Sequence, residues 1–313
     1  MANIKKVAII GCGLVGSSIA FSLLQKELFS EMVLIDQNKE KAEGEAMDLS
    51  HGLPYTQSME IYAGDYKDIK DAAIVIITAG TNQKPGETRL DLIQKNAAIM
   101  RSIIKEIKPI NIEGILLIVS NPVDILTHVA YVESGLPKNR VIGSGTVLDT
   151  ARLKYLISKH LDIDAKNVHA IIIGEHGDSE LVTWSIANIS GIPLSDFCSI
   201  RGFYNHEKGM REIHESVRDS AYEIIKRKGA TYYGVAIAVS HIASCIVGNT
   251  HTMLPVSTEL EGEYGLKGLC LSVPSVVGKD GVETILEINL AENEKAELQK
   301  SADTLLKIIK SIE

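Results

Sequence analysis

The feature that most constrains the fold is a glycine-rich turn that joins a short apolar strand to a helix near the start of the chain. The strand is predicted over residues 7–10, and Gly11, Gly13 and Gly16 fit the spacing GxGxxG. The first glycine permits the tight turn, the second lets the backbone approach a pyrophosphate, and the third lets the helix pack closely on the sheet. The turn therefore predicts a dinucleotide site formed by these glycines and Val15.

An acidic residue follows the turn at the spacing of a dinucleotide site. Asp36 stands twenty residues after Gly16, directly after a strand predicted over 32–35. Its carboxylate can accept hydrogen bonds from the adenine ribose and would repel a 2′-phosphate, so NAD is predicted rather than NADP. Gly80, after another predicted strand, belongs to the same sheet edge. The alternative is an ordinary glycine turn in an α/β domain.

Apolar runs alternate with helical patterns through the first half of the chain. Short runs rich in Ile and Val predict buried strands at 7–10, 32–35, 74–78, 115–119 and 141–142. Segments with helical spacing lie between them, at 14–28, 39–49, 88–108 and 123–134. This alternation indicates an α/β fold, with a Rossmann doubly wound parallel sheet over residues 1–145.

The pattern changes in the second half, where the helices and strands are no longer alternating. Helices are predicted at 147–160, 206–227, 231–247 and 292–311, and strands at 168–173, 252–257, 269–277 and 282–288. The turn at 278–281 predicts a hairpin between the last two strands. We expect a second, α+β catalytic domain over residues 146–313, in tight contact with the first.

Composition limits the partners of the protein. The 313 residues carry a net charge of −8, which gives no general attraction for nucleic acid or an anionic membrane. A local cationic pocket can still bind a small anion, and none of the arginines precedes Arg89. An uncharged run at 7–24 resembles a membrane span, but its glycines and serines favour a strand, a turn and a helix.

The four cysteines bear on metal binding and compartment. They are widely spaced and form neither a CxxC pair nor a cysteine–histidine metal pattern. We therefore expect no disulfide framework and no metal site, and we expect the cytoplasm as the compartment.

A carboxylate and a guanidinium share one face of the helix predicted to follow the domain junction. Asp149 and Arg152 are three residues apart in a helix that is otherwise largely apolar. An arginine beside a carboxylate offers a planar fork that suits the carboxylate of a substrate. The alternative is an ion pair on a helix surface.

One histidine stands at the end of an apolar strand rather than in a polar helix. His176 lies between glycines in Gly-Glu-His-Gly-Asp, residues 174–178. A nearby Asp149 would raise the pKa of the imidazole and fix its tautomer. The protonated ring could then donate its proton to a carbonyl oxygen near neutral pH.

A polar segment at 81–90 joins a predicted strand to a long helix. It contains Pro and Gly, and it carries Arg89, which could stabilise negative charge on a carbonyl oxygen if the segment closed over the site. The alternative is an ordinary loop between a strand and a helix.

These motifs together resemble the NAD-dependent L-lactate dehydrogenases of the lactate/malate dehydrogenase family, in their bacterial form. Besides the glycine turn, the resemblance rests on Asn-Gln-Lys-Pro-Gly-Glu-Thr-Arg at 82–89, Ser-Asn-Pro-Val-Asp at 120–124, Leu-Asp-Thr-Ala-Arg at 148–152 and Gly-Glu-His-Gly-Asp at 174–178. The resemblance lies in the order and spacing of these motifs, and it spans the whole chain. The resemblance implies reversible hydride transfer between NADH and pyruvate, giving L-lactate.

The resemblance also implies a role for each site residue. His176 would be the acid/base, oriented by Asp149, and Arg152 would bind the substrate carboxylate. Arg89 would polarise the substrate carbonyl. Asn121 would bind the substrate oxygen and lie near the nicotinamide ribose.

Substrate choice would depend on Gln83, where malate dehydrogenases carry an arginine for a second carboxylate. A neutral glutamine would leave that charge of oxaloacetate unpaired, at a cost of about 2–5 kcal/mol, which favours pyruvate. Thr231 would bound the same pocket. A malate dehydrogenase, a dehydrogenase of larger 2-hydroxy acids and a non-catalytic NAD-binding protein are the alternatives.

Many bacterial members of this group are homotetramers activated by fructose bisphosphate, which binds between subunits. The corresponding positions here are Lys154 and His169. The lysine keeps the positive charge but lacks the arginine fork, so activation and a surface role without a ligand are both open.

Overall fold

The computed structural model of the chain describes residues 3–82, 86, 88–203 and 205–312. The strands are β1 Asn3–Ile10, β2 Glu31–Ile35, β3 Glu60–Ala63, β4 Ala72–Ile77, β5 Ile115–Ile118, β6 Val141–Gly143, β7 Val168–His169, β8 Ile172–Ile173, β9 Leu181–Val182, β10 Asn188–Ile189, β11 Ile192–Pro193, β12 Thr252–Glu261, β13 Lys267–Gly278 and β14 Gly281–Ile285. The helices are α1 Leu14–Lys26, α2 Lys39–His51, α3 Arg89–Ile107, α4 Val123–Ser134, α5 Val147–Leu161, α6 Leu194–Ile200, α7 His206–Lys228, α8 Tyr233–Val247 and α9 Glu292–Ile312.

The first six strands form a parallel sheet in the order β6-β5-β4-β1-β2-β3. β1 lies in the middle of this sheet, β2 and β3 follow on one side, and the chain then returns to add β4, β5 and β6 on the other side. The order therefore reverses between β1 and β4, and ligands of doubly wound sheets bind at such a switch point. The predicted Rossmann sheet is confirmed.

Both faces of this sheet are buried, which explains why its strands are continuous apolar runs. In β1, Val7 and Ile9 pack on one face under α1, α2 and α8. Ala8 and Ile10 pack on the other face under α3 and α4. Side chains alternate along a strand, so each of these four residues can be buried only if helices cover both sides.

The sheet continues into the second half of the chain. β12 lies antiparallel beside β6 and pairs with it at Ser257 and Gly143. The antiparallel strands β13 and β14 then extend one sheet of nine strands. The second half is thus an α+β unit, as predicted, and its long antiparallel hairpin joins the edge of the parallel sheet.

The single strand predicted at 168–173 is wrong. β7 pairs with β10, whereas β8 pairs with β9 in a different small sheet. The chain changes sheets at Ala170 and Ile171, which are both buried. The apolar pattern cannot reveal this change, because the apolar residues before and after it are all buried, whichever sheet they join.

The uncharged run at 7–24 forms the second half of β1 and most of α1. The helix ends where Glu27 adopts a left-handed φ of 54°. Among the helices of the described residues, none is long and apolar enough to cross a membrane.

Candidate active site

The carboxyl ends of β1, β4 and β5 meet at one edge of the sheet. Gly11 follows β1, Gly80 lies beyond β4 and Asn121 lies beyond β5. Thr78 ties two of these strand ends together, because its hydroxyl donates to the carbonyl oxygen of Gly11 at 2.7 Å. Two clefts are formed by residues at this edge, one lined by Gly80 and the other by Asn121.

The first cleft has a volume of about 500 Å³ and is lined by Gly11, Gly13, Asp36 and Gly80, among others. These are four of the residues predicted to bind the dinucleotide. Gly16 and Val15 do not line it: Gly16 is buried behind the turn, and Val15 packs against the hydrophobic core.

The glycines fit a bound pyrophosphate. Gly11 has a φ of +103°, which side chains rarely allow. A Cβ on Gly16 would lie 1.9 Å from the carbonyl oxygen of Gly11, so only glycine lets α1 approach β1 this closely. A Cβ on Gly13 would meet no atom of the described residues within 4 Å, which leaves its backbone open to a ligand at the start of α1.

Asp36 is held at this cleft by two backbone amides. Its Oδ2 accepts from the amide of Cys12 at 2.7 Å, and its Oδ1 accepts from the amide of Asn38 at 2.9 Å. Carboxylate oxygens have further lone pairs, so both can still accept hydrogen bonds from ribose hydroxyls. The residues present therefore fit NAD.

Asn96, a buried residue of α3, joins the first cleft to the second. Its side chain accepts from the amide of Thr81 at 2.9 Å and donates to the carbonyl oxygen of Asn121 at 2.8 Å. The segments beyond β4 and β5 are thereby held together, and Asn121 lies in the wall of the second cleft.

The second cleft has a volume of about 340 Å³. It brings together five residues predicted to act on the substrate: Arg89, Asn121, Asp149, Arg152 and His176. They come from α3, the end of β5, α5 and the segment after β8, so the fold assembles them from four distant parts of the chain.

Asp149 is the centre of this group. Its Oδ2 lies 2.5 Å from Nδ1 of His176, and its Oδ1 accepts from Arg152 at 2.8 Å. Burial raises the pKa of Asp149, but the charges of His176 and Arg152 outweigh it and hold the pKa below its usual value. Burial lowers the pKa of His176, and Asp149 reverses this effect and raises it to about 9. The imidazole is therefore protonated at neutral pH.

The backbone of His176 has an anchor of its own. Its amide donates to Oδ2 of the buried Asp124 at 2.7 Å, and Ser272 donates to the other oxygen at 3.1 Å. The sequence motif at 120–124 contains Asp124 but does not reveal this contact, since the acid stands in the first turn of α4 and His176 lies far along the chain.

Arg89 begins α3, where Thr88 caps the helix by accepting from the amide of Asp91. Its guanidinium donates to Glu175 at 2.9 Å and to Asp178 at 3.0 Å. Glu175 is buried and Asp178 is exposed, with a further hydrogen bond from Tyr222 at 3.1 Å. The two acids that flank His176 thus hold Arg89 at the rim of the cleft.

The remaining predicted residues are not in this group. Gln83 lies outside the described residues. Thr231 is half-buried between α7 and α8 and is not among the described residues that line the cleft. Lys154 on α5 is half-buried, and burial lowers its pKa. His169 is exposed on β7.

The cleft also contains residues that the sequence does not single out. Glu180, Arg218 and Tyr222 line it, the last two from α7. Helical spacing predicts α7 correctly, but it gives no sign of which surface positions face the cleft.

Comparison with protein families covers nearly the whole chain. The model of the lactate/malate dehydrogenase NAD binding domain matches residues 5–143, and that of the lactate/malate dehydrogenase alpha/beta C-terminal domain matches residues 146–313.

Individual relatives are similar to this chain over nearly their full length. An L-lactate dehydrogenase of Acetivibrio thermocellus is 54% identical over 99% of this chain and 98% of its own length. An L-lactate dehydrogenase 1 of Clostridium acetobutylicum is 50% identical over the whole of both chains. The crystal structure of a minor L-lactate dehydrogenase from Enterococcus mundtii superposes with a TM-score of 0.95 at 42% identity, over 99% of this chain and 98% of that one.

Proposed function

The chain belongs to the lactate/malate dehydrogenase family and is an NAD-dependent enzyme of its L-lactate dehydrogenase group, and we propose how its residues carry out the reaction. It converts pyruvate and NADH to L-lactate and NAD, reversibly. The observation that supports the proposed site best is the contact of Asp149 with both His176 and Arg152. Through this contact one carboxylate holds both the proposed proton donor, His176, and the arginine proposed to bind the substrate carboxylate, Arg152.

His176 is the acid in pyruvate reduction. With Nδ1 turned to Asp149, its other ring nitrogen is left to donate a proton to the carbonyl oxygen. Gly11, Gly13 and Asp36 would hold NADH along the first cleft, where it would supply the hydride for the carbonyl carbon. Asp149 stabilises the charged imidazolium before the transfer and holds the ring in place throughout.

Two arginines interact with different charged groups of the substrate. Arg152, with one nitrogen on Asp149, presents the rest of its fork to the substrate carboxylate. Arg89 moves from Glu175 and Asp178 to the substrate and stabilises negative charge that develops on the carbonyl oxygen. Asn121 donates to the same oxygen and lies beside the nicotinamide ribose.

The preferred substrate is pyruvate. We assign the variable group of the 2-oxo acid to Gln83 and Thr231, and neither of these residue types carries a positive charge for a second carboxylate. We propose that the enzyme selects pyruvate over oxaloacetate by orders of magnitude.

A substrate panel tests this function. NADH oxidation is measured with pyruvate, oxaloacetate and a branched 2-oxo acid, and we expect the highest kcat/KM with pyruvate. Equal values for pyruvate and oxaloacetate would refute the specificity. A highest value for the branched acid would show a larger pocket than we propose.

The two functional units meet at the connection from β6 to α5. We assign residues 1–145 to cofactor binding and residues 146–313 to substrate binding and catalysis. The assignment is supported by the placement of the dinucleotide cleft in the first part, and of His176, Asp149 and Arg152 in the second.

We further propose a homotetramer in the cytoplasm. Its support is a set of large apolar side chains that stand exposed on α1, α2 and α8, including Leu14, Phe21, Met47 and Ile237. α1 and α8 also contact each other, through the hydroxyls of Ser22 and Ser240 at 2.9 Å. Light scattering of the purified protein would give four times the 34.0 kDa chain mass, and a monomer would refute it.

Fructose bisphosphate is the proposed activator, with Lys154 and His169 as its phosphate ligands. Support comes from the burial of the Lys154 ammonium, whose lowered pKa would be restored by an anion. The ligand is titrated at sub-saturating pyruvate, in wild type and Lys154→Gln. An apparent KM that stays constant in wild type would remove the proposal.

A further inference from the structure

A buried carboxyl group in the substrate cleft has no part in the reaction described above. Glu180 precedes β9, is only 7% exposed, and lines the cleft beside His176 and Arg152. Its Oε1 is buried and has no hydrogen-bond partner among the described residues. A buried, unsatisfied oxygen at the wall of a substrate site requires a physical explanation.

The charged groups around Glu180 come from three elements. Asp149 and Arg152 face it from α5, and His176 faces it from its own segment. On α7, Arg218 contributes a positive charge, and His214 donates to the backbone of Glu180. Among the cations, Arg152 and His176 already pair with Asp149, which compensates part of their positive charge. The side chain of Arg218 is exposed to solvent.

The surroundings therefore favour the uncharged carboxylic acid. Burial, followed by the charge of Asp149, raises the pKa of Glu180 to about 8, against the opposing effect of His176, Arg152 and Arg218. At neutral pH its proton makes it a hydrogen-bond donor in the wall of the cleft. Above that pH it would present a second negative charge beside Asp149.

We propose that Glu180 is a positioning residue that must be protonated for the anionic substrate to bind next to Arg152, so that two protons govern the alkaline limit of activity. One proton is on His176 and the other on Glu180. The proposal rests on the proposed function, because it concerns the same 2-oxo acid site. Its physical basis is that an ionised Glu180 repels the substrate carboxylate in a site partly shielded from water.

The alkaline limb of kcat/KM for pyruvate reduction tests the proposal. With two required protons, log kcat/KM of the wild type should approach a slope of about −2 against pH above the pKa of His176. Glu180→Gln keeps an uncharged amide at every pH, so its slope should be about −1. The difference should arise mainly in KM, because Glu180 acts on binding.

Glu294→Gln is a matched control. Glu294 is also buried, but its carboxylate accepts from the amide of Ser185 and it is not among the described residues that line the cleft, so the variant should keep a slope of about −2. A slope of about −1 in the wild type, or one of about −2 in Glu180→Gln, would overturn the proposal.

A second measurement, made on the wild type alone, tests the proposal if the Glu180→Gln protein does not fold. Oxamate, a non-reducible analogue of pyruvate, is titrated against the wild-type enzyme–NADH complex over the same pH range. Release of two protons per lost oxamate supports the proposal, and release of one refutes it. Failure of the proposed function would give a different result, namely no NADH oxidation with pyruvate at neutral pH.

Discussion

Nδ1 of His176 lies 2.5 Å from Oδ2 of Asp149, whose other oxygen binds Arg152. One carboxylate thus sets both the charge of the proton donor and the orientation of the substrate-binding arginine. Because Asp149 is only 2% exposed, water cannot replace it in either role.

Replacing Asp149 by Asn should remove the charge that raises the pKa of His176. We expect kcat/KM for pyruvate to fall about 10⁴-fold, on the scale seen when the carboxylate partner of a catalytic histidine is replaced by an amide. The alkaline limb should move to lower pH, because burial lowers the pKa of His176 and the largest of the charges that oppose this effect is then lost. A pH profile checks both effects, and an unchanged limb would argue against the pairing.

Arg152→Lys should mainly weaken substrate binding. Lysine keeps the charge but cannot offer a planar fork to a carboxylate, so KM for pyruvate should rise by about 100-fold with a smaller change in kcat. Arg227→Lys on the exposed end of α7, where the side chain pairs with Glu223, is the matched control. Equal KM values in the two variants would contradict the role of Arg152.

Arg89→Gln should lower kcat more than it raises KM. The proposed role stabilises charge that is present only in the transition state, so a loss of about 10²–10³-fold in kcat is expected. Asp178→Asn tests the contact at the rim. It weakens the hold on Arg89 in the free enzyme, and we expect KM to fall slightly or stay constant in steady-state kinetics.

Stability should decrease as pH rises from neutrality. The pKa of His176 is raised in the folded protein to about 9, so its contribution is complete below the unfolded value near 6.5 and is lost as pH rises through 9. Thermal unfolding of wild type and His176→Gln at a series of pH values checks this. The wild type should lose more of its Tm between about pH 6.5 and 9 than the variant does.

Two glycines of the turn should respond differently to alanine. Gly16→Ala places a Cβ 1.9 Å from a backbone oxygen, so we expect a loss of stability of more than about 3 kcal/mol. Gly13→Ala meets open space, so it should fold normally but bind NADH at least about tenfold more weakly. Gly44→Ala on α2, also in open space, is the control for both measurements.

The sequence predicts the parallel sheet well because its signals are local. Each strand, such as β4, is a buried apolar run, and the glycine turn requires a specific conformation at Gly11. β3 escapes prediction because its side chains are half-buried or exposed, so it has no apolar run. It is held by pairing with β2, which no local pattern records.

The candidate site follows a similar rule. His176, Asp149 and Arg152 stand in motifs with short spacing, and the structure brings them together. Asp124 and Glu180 act through contacts set by the tertiary fold, so their burial becomes visible only when α4 and β9 are placed. An acid in a helix turn or before a strand is otherwise an ordinary surface residue.

The antiparallel pairing of β12 with β6 has a consequence for dissecting the enzyme. Removing everything after residue 145 would strip Gly143 of its partner Ser257 and expose β6 as an open edge. The same cut would remove α8, which covers one face of β1 and its neighbours. A cofactor-binding fragment made this way should therefore aggregate, and an isolated NAD-binding half would need a redesigned boundary with polar side chains in place of the lost covers.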